Sequence, residues 1–162
     1  MATHNALQVN YFQFVLDRVP NMIYYCQAAN LPGIAFGVAQ QPTILGHPVK
    51  VPTGAYRFED LQLFFRVDEN LQNWLEIYNW MKETGNYNDA NNTEQYIEKT
   101  YGARLLITNS SYKPKFAIDF KHVFPTYLSS INFNVTKPRS EEIGCLVKFA
   151  FTGYTITGIT GA

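Results

Sequence analysis

Alternation of apolar and polar positions marks the clearest elements of this chain. Leu61, Leu63, Phe65 and Val67 share one face of a strand predicted over Tyr56 to Val67. Upstream, Tyr56 and Phe58 have the opposite parity, and the switch at Glu59-Asp60 predicts a bulge or bend. In "KFAIDFKHVF", Phe116, Ile118, Phe120 and Phe124 alternate with Lys115, Asp119 and Lys121. "PTY" at Pro125 predicts a turn into "LSSINFNV", where Ile131, Phe133 and Val135 share a face. Beyond the charged loop "TKPRSEE", Cys145, Val147, Phe149 and Phe151 point one way, and Gly153 precedes a second parity switch. Near the N-terminus, Tyr11 to Asp17 and Met22 to Gln27 flank "RVPN" and predict a hairpin. The Gly- and Pro-rich stretch Ile34 to Thr53 predicts little regular structure beyond one edge strand.

One segment breaks the two-residue period. "VDENLQNWLEIYNWM", Val67 to Met81, predicts a helix with Asp68 as N-cap, Glu69 at its positive end and Gly85 as its stop. Advancing about 100° per residue gathers Leu71, Trp74, Leu75, Tyr78 and Met81 on one arc, with Ile77 at its edge. That arc is the expected core face. Trp80 falls outside it, on the side of Glu69, Asn73 and Glu76. The expectation is that Trp74 anchors the helix internally, while Trp80 is either half covered by loops of its own domain or, with Asn73 and Glu76, meets another chain. Trp80→Ala would then weaken assembly more than folding, and Trp74→Ala would do the reverse. A polar, Asn-rich loop spans 85–102, with one helical turn at Glu94 to Lys99. Loops of this length are often functional, and Tyr87, Asn88, Asn92 and Tyr96 are its candidate partner contacts. Residues 157–162 read as a flexible tail. The pattern as a whole predicts one domain over 1–162, mainly β with one α-helix, built as a two-sheet antiparallel sandwich or barrel.

Charge narrows the function. Lys plus Arg and Asp plus Glu are 13 each, so the net charge is zero. A protein whose main task is gripping phosphates carries a basic excess. Aromatics at 15% are abundant, as in strands and interfaces. The N-terminus reads as having no secretion signal, and no apolar run approaches the roughly 20 residues that span a bilayer. Without such a signal, the glycosylation-like triplets "NNT", "NSS" and "NVT" read as chance. Cys26 and Cys145 lie in apolar runs and read as buried free thiols.

Chemistry-bearing constellations are missing. His4, His47 and His122 are far apart in sequence, with no metal-binding spacing among them. His122 reads as a core histidine and Glu59-Asp60 as a solvated bend. "LPGIAFG" lacks the spacing of a phosphate loop, and no serine sits in a nucleophile elbow. The expectation is no enzyme activity, no metal and no cofactor.

Four stretches together resemble the tail tube family of contractile-tailed bacteriophages. They are "YYCQAANLPG", "FEDLQLFFRVDENLQNWLEIYNWM", "FKHVFPTYLSSINFNV" and "CLVKFAFTGYTI", in order along nearly the whole chain. The helix entry is the most specific of them. Within the family, the "F-x-V-D-E-x-L-x-x-W" entry and the polar loop resemble subunits that cap the head-proximal end of the tube and stabilise the sheath. A main tube subunit forming stacked rings, or a tube initiator, are the alternatives. The resemblance implies a six-subunit ring whose strands form a continuous barrel, with DNA passing through the lumen unbound. It implies tube, sheath and neck or connector proteins as partners, no membrane, and a place in the virion tail after assembly in the host cytoplasm. Outside the family, a small-molecule-binding β-barrel is the competing reading, and an enzyme with a convergent His–carboxylate pair a more distant one.

Overall fold

Nine strands and two helices appear in the computed structural model, which describes residues 7, 11–44, 46–85, 99–109, 111–138 and 141–158. In chain order they are β1 (Phe12–Leu16), α1 (Met22–Tyr25), β2 (Cys26–Ala29), β3 (Ile34–Gln41), β4 (Val49–Phe58), β5 (Leu61–Arg66), α2 (Gln72–Gly85), β6 (Tyr101–Thr108), β7 (Pro114–Leu128), β8 (Gly144–Ala150) and β9 (Gly153–Gly158). All pairings are antiparallel. The mainly β, two-sheet expectation holds.

The two sheets share β7, a strand of 15 residues. Its first half pairs with β6 and β9, and β6 pairs with β1. Its second half pairs with β8, which leads through β5 to β2. The strand bends between the halves, where His122 takes φ 54 and Thr152 donates from both its N–H and its hydroxyl to the Lys121 carbonyl. The bend reverses the side-chain parity. Ile118 and Phe120 are buried before it, Val123 and Pro125 after it. His122 is therefore exposed, with Nδ1 3.2 Å from the Thr100 hydroxyl, and is not a core residue.

The alternating strands bury what their pattern assigns. Leu61, Leu63 and Phe65 of β5 and Cys145, Val147 and Phe149 of β8 are buried, joined by Phe14, Leu16 and Leu105 from the other sheet. The parity switch at Glu59-Asp60 is a break between β4 and β5, and the one near Gly153 is the break between β8 and β9.

Several expectations fail, each for a physical reason. β1 and β2 form no hairpin, because α1 intervenes and each pairs elsewhere. Ile34 to Thr53 is not irregular: β3 and β4 form a long hairpin with a register shift between Phe36 and Val38. Gly54, at φ 76, lies in the stretch of β4 that absorbs this shift. Pro125 does not turn the chain but lies within β7. Ile131 to Val135 form no strand, and Phe133 and Val135 are 80% and 102% exposed. Thr157 and Gly158 belong to β9, so the proposed tail does not begin at 157.

The helix is where the pattern misled most. The face that meets the sheets is Asn73, Ile77 and Trp80, with Trp74, Met81 and Thr84 half-buried beside it. These positions recur at helical spacing about an arc roughly 100° away from the one expected. Trp80 is fully buried. Its ring meets Tyr101 of β6 edge-on at 5.3 Å and Phe149 of β8 at 5.9 Å, one from each sheet. Its Nε1 donates to the Lys99 carbonyl at 2.9 Å. Asn73 is buried because its amide serves the backbone. Oδ1 accepts from the Asp68 and Trp74 N–H groups at 3.0 and 2.8 Å, and Nδ2 donates to the Arg66 carbonyl at 2.7 Å. Asp68 is not the N-cap. It opens a turn ending at Leu71, which takes φ 60 and whose carbonyl accepts the Leu75 N–H. Of the expected core anchors, Leu75 and Tyr78 are exposed, Leu71 precedes the helix, and only Trp74 and Met81 pack on the core.

Trp80→Ala should therefore lower unfolding free energy by ~3–5 kcal/mol, a drop of roughly 10 °C in Tm. Asn73→Ala, which strands buried backbone groups, should cost ~1–3 kcal/mol. Thermal melts of the two variants beside Trp74→Ala check this, with Trp80→Ala the least stable.

Candidate assembly surfaces

Moving the core face of α2 to Asn73, Ile77 and Trp80 leaves an apolar stripe pointing out. Leu75 and Tyr78 are 45% and 39% exposed. Trp74 stacks on Tyr78 at 5.4 Å with an interplanar angle of 12°, and Lys82 lies over the other ring at 5.5 Å. The Trp74 Nε1 donates to the Ser129 carbonyl at 3.4 Å, which fixes the stack against the loop after β7. The stripe is a pre-ordered aromatic surface on a rigid element.

A second surface is the β3–β4 hairpin. Register places Ile34, Phe36 and Val38 on one face with their partners Phe58, Tyr56 and Pro52, and Lys50 follows on that face opposite Gln40. Ile34, Phe36, Val38 and Tyr56 are each more than half exposed. The base of the hairpin is held firmly. Phe58 packs against Phe151 and Tyr154 at 5.5 and 5.1 Å, and Phe120 lies behind both. The Tyr154 hydroxyl donates to the Pro32 carbonyl, Asn30 Nδ2 to the Asp60 carbonyl, and the Gln62 N–H to Asn30 Oδ1. A two-stranded ribbon alone is marginal in water, and an apolar row of this size on a lone chain marks a surface to be covered.

The third surface is a groove of about 750 Å³ at the end of β5. Val67, Leu71, Ile131, Phe133 and Ile143 supply its apolar lining. Asp68, Glu69, Glu141 and Glu142 stand around it. Arg66 pairs with Glu142 at 2.7 Å and Lys137 with Glu141 at 2.8 Å, and Asp68 accepts from the Tyr25 hydroxyl at 3.3 Å. Among the described residues, no ion pair engages Asp68 or Glu69.

A family model for phage tail tube proteins matches residues 2–157. The chain belongs to the phage tail tube protein family. Its sequence is similar to the tail tube terminator protein of Enterobacteria phage T4, 27% identical over 133 residues, covering 80% of this chain and 75% of that protein. Its fold is similar to that of two solved structures. One is the sheath/tube terminator of the extracellular contractile injection system PVC in the extended state, with TM-score 0.69, 16% identity, and 97% and 100% of the two chains covered. The other is the tube terminating cap of the anti-feeding prophage, with TM-score 0.70, 19% identity, and 98% and 95% covered. The described structure of this family member carries exposed apolar side chains on its outer helix face and on the β3–β4 hairpin.

The interface residues expected from sequence are largely displaced. Trp80 and Asn73 are internal, so neither is available to a neighbour. Glu76 is exposed, beside Gln72 and Asp68 in a small depression. Tyr87, Asn88, Asn92 and Tyr96 lie outside the described residues. Leu75 and Tyr78, on the expected core arc, are exposed instead, and the hairpin row lies in a stretch expected to be largely irregular. Its signal was present, since Ile34, Phe36 and Val38 alternate, but the Gly and Pro content obscured it.

Chemical reactivity runs the other way. Among the described residues no group of His, Cys, Asp and Glu could hold a metal ion. Burial pushes the Cys26 thiol up to about 11, only partly offset by its bond to the Ala28 carbonyl. That direction deactivates a nucleophile. Both cysteines are free.

Two measurements follow. Tyr78→Lys with Leu75→Lys should leave the melting curve close to the parent's, within about 1 kcal/mol, while abolishing contacts made through the outer helix face in sedimentation or pull-down with tail components. At pH 7.5, Cys26 should react with a thiol reagent at least ~100-fold more slowly than in the urea-unfolded chain. Mass spectrometry of the labelled peptides reads this directly.

Proposed function

We propose that this chain is the ring-forming subunit that ends the tail tube of a contractile phage tail. The observation that carries the reading is the sequence likeness to the T4 tail tube terminator along most of the chain. In this reading six copies close a ring, and open strand edges of neighbouring copies pair into a barrel, which satisfies edges that would otherwise invite uncontrolled association. DNA passes through the lumen without being held, which suits a chain with 13 cationic and 13 anionic side chains. One face of the ring meets the tube, and the remaining surfaces meet sheath and neck or connector proteins. The polar segment between α2 and β6 supplies a contact to one of these. The subunit works in the virion tail after assembly in the host cytoplasm, and it performs no catalysis.

The match to a model of tube proteins over residues 2–157 favours a second reading, in which the chain builds stacked rings along the tube or initiates it. The small-molecule barrel fares worse. The space between the sheets is filled by Trp80, Phe14, Phe65 and Phe149, all fully buried.

Electron microscopy of tails carrying a tagged copy decides between the readings. A terminator appears as one ring at the head-proximal tube end. Label along the whole tube would instead identify the main tube subunit, and label at the baseplate end an initiator. The purified chain should also show little affinity for duplex DNA at physiological salt in a mobility-shift assay. Tight binding there contradicts the open-lumen reading.

A further inference from the structure

We propose that the β3–β4 hairpin of one copy docks in the groove at the far end of β5 in the next copy, so that the ring closes through a head-to-tail contact. The inference rests on the ring reading above. Its first support is complementary chemistry. The hairpin from Ile34 to Phe58 contains no Asp or Glu, and its only charged side chains are Lys50 and Arg57. Its apolar face runs from Ile34 and Phe36 through Val38 and ends at Lys50 by register. The groove offers the counterpart: an apolar lining with Phe133 80% exposed, and Asp68 and Glu69 without an ion-pair partner among the described residues.

The second support is placement. The hairpin springs from the Leu61 end of β5, and the groove opens just after its Arg66 end. The six residues of β5 hold the two surfaces roughly 20 Å apart on one rigid strand. The base of the hairpin is pinned by Phe58, Asn30 and Tyr154, so it does not fold back on its own groove. Two complementary surfaces at opposite ends of one element make a heterologous contact, which either closes a ring or propagates without end.

The test uses two variants of the full chain. The hairpin variant carries Phe36→Lys and Tyr56→Lys. The groove variant carries Phe133→Lys and Glu69→Lys. All four positions are exposed, so thermal melts should match the parent's. Each variant alone should be monomeric in analytical ultracentrifugation, at concentrations up to roughly 100-fold above those at which the parent assembles. Mixed together, they retain one intact hairpin and one intact groove, and should form a 1:1 dimer that grows no further. A single-change pair, Ile34→Lys and Glu69→Lys, repeats the test should the double changes unfold the chain. Variants that assemble like the parent, or a mixture that stays monomeric, overturn the proposal and leave the ring reading standing. A parent that forms open-ended polymers blocked by either variant supports the contact but overturns the single terminal ring. A parent that stays monomeric throughout overturns both.

Discussion

The two sheets meet at an angle set by the bend in β7, and the opening between them needs a large side chain attached to something rigid. Trp80 is that side chain. It touches a ring from each sheet and spends its only polar hydrogen on the Lys99 carbonyl, so its burial leaves no donor unpaired. The rest of α2 is oriented by that one insertion. Once Trp80 points inward, Ile77 and Thr84 follow it. Asn73 is then carried to the β5 end, where its amide ties the helix entry to the strand. Leu75 and Tyr78 are forced outward by the same geometry. The exposed stripe is thus a consequence of how the core is closed.

A lone chain folded this way leaves apolar surface uncovered. Its interior is filled, yet the β3–β4 hairpin, the outer helix face and the loop around Phe133 all leave apolar side chains in water. The first two of these segments are firmly attached. The hairpin is rooted in the aromatic cluster of Phe58, Phe120, Phe151 and Tyr154, and Tyr78 is stacked on Trp74. Ordering these surfaces before a partner arrives lowers the entropy that association must overcome.

Strands whose two faces see different environments were legible in the sequence. Leu61, Leu63, Phe65, Cys145, Val147 and Phe149 bury as their alternation requires, and both parity switches mark real breaks. The helix was not legible, because it is apolar on two sides. The arc of Leu71, Leu75 and Tyr78 is the richer of the two in apolar side chains, and Asn73 looked like a marker of the solvent face. A buried amide that satisfies backbone groups reads as polar to any periodicity argument. The segment around Phe133 failed for a related reason. Its alternation is genuine, but among the described residues no strand pairs with it. Hydrophobic pattern reports that a surface will be covered, and does not distinguish cover by the same chain from cover by another. The candidate site lay in that ambiguity.

The attachment of the hairpin has a mechanical consequence. A pull along it reaches the body through the Glu59-Asp60 link and through Asn30, whose amide bonds to both the Asp60 carbonyl and the Gln62 N–H. A pull directed along β5 falls on the ladder that its six residues form with β8. The ladder is loaded in shear, so its bonds must stretch together, whereas a pull at right angles would open them one at a time. The hairpin root is built to transmit tension into the sheet without peeling it.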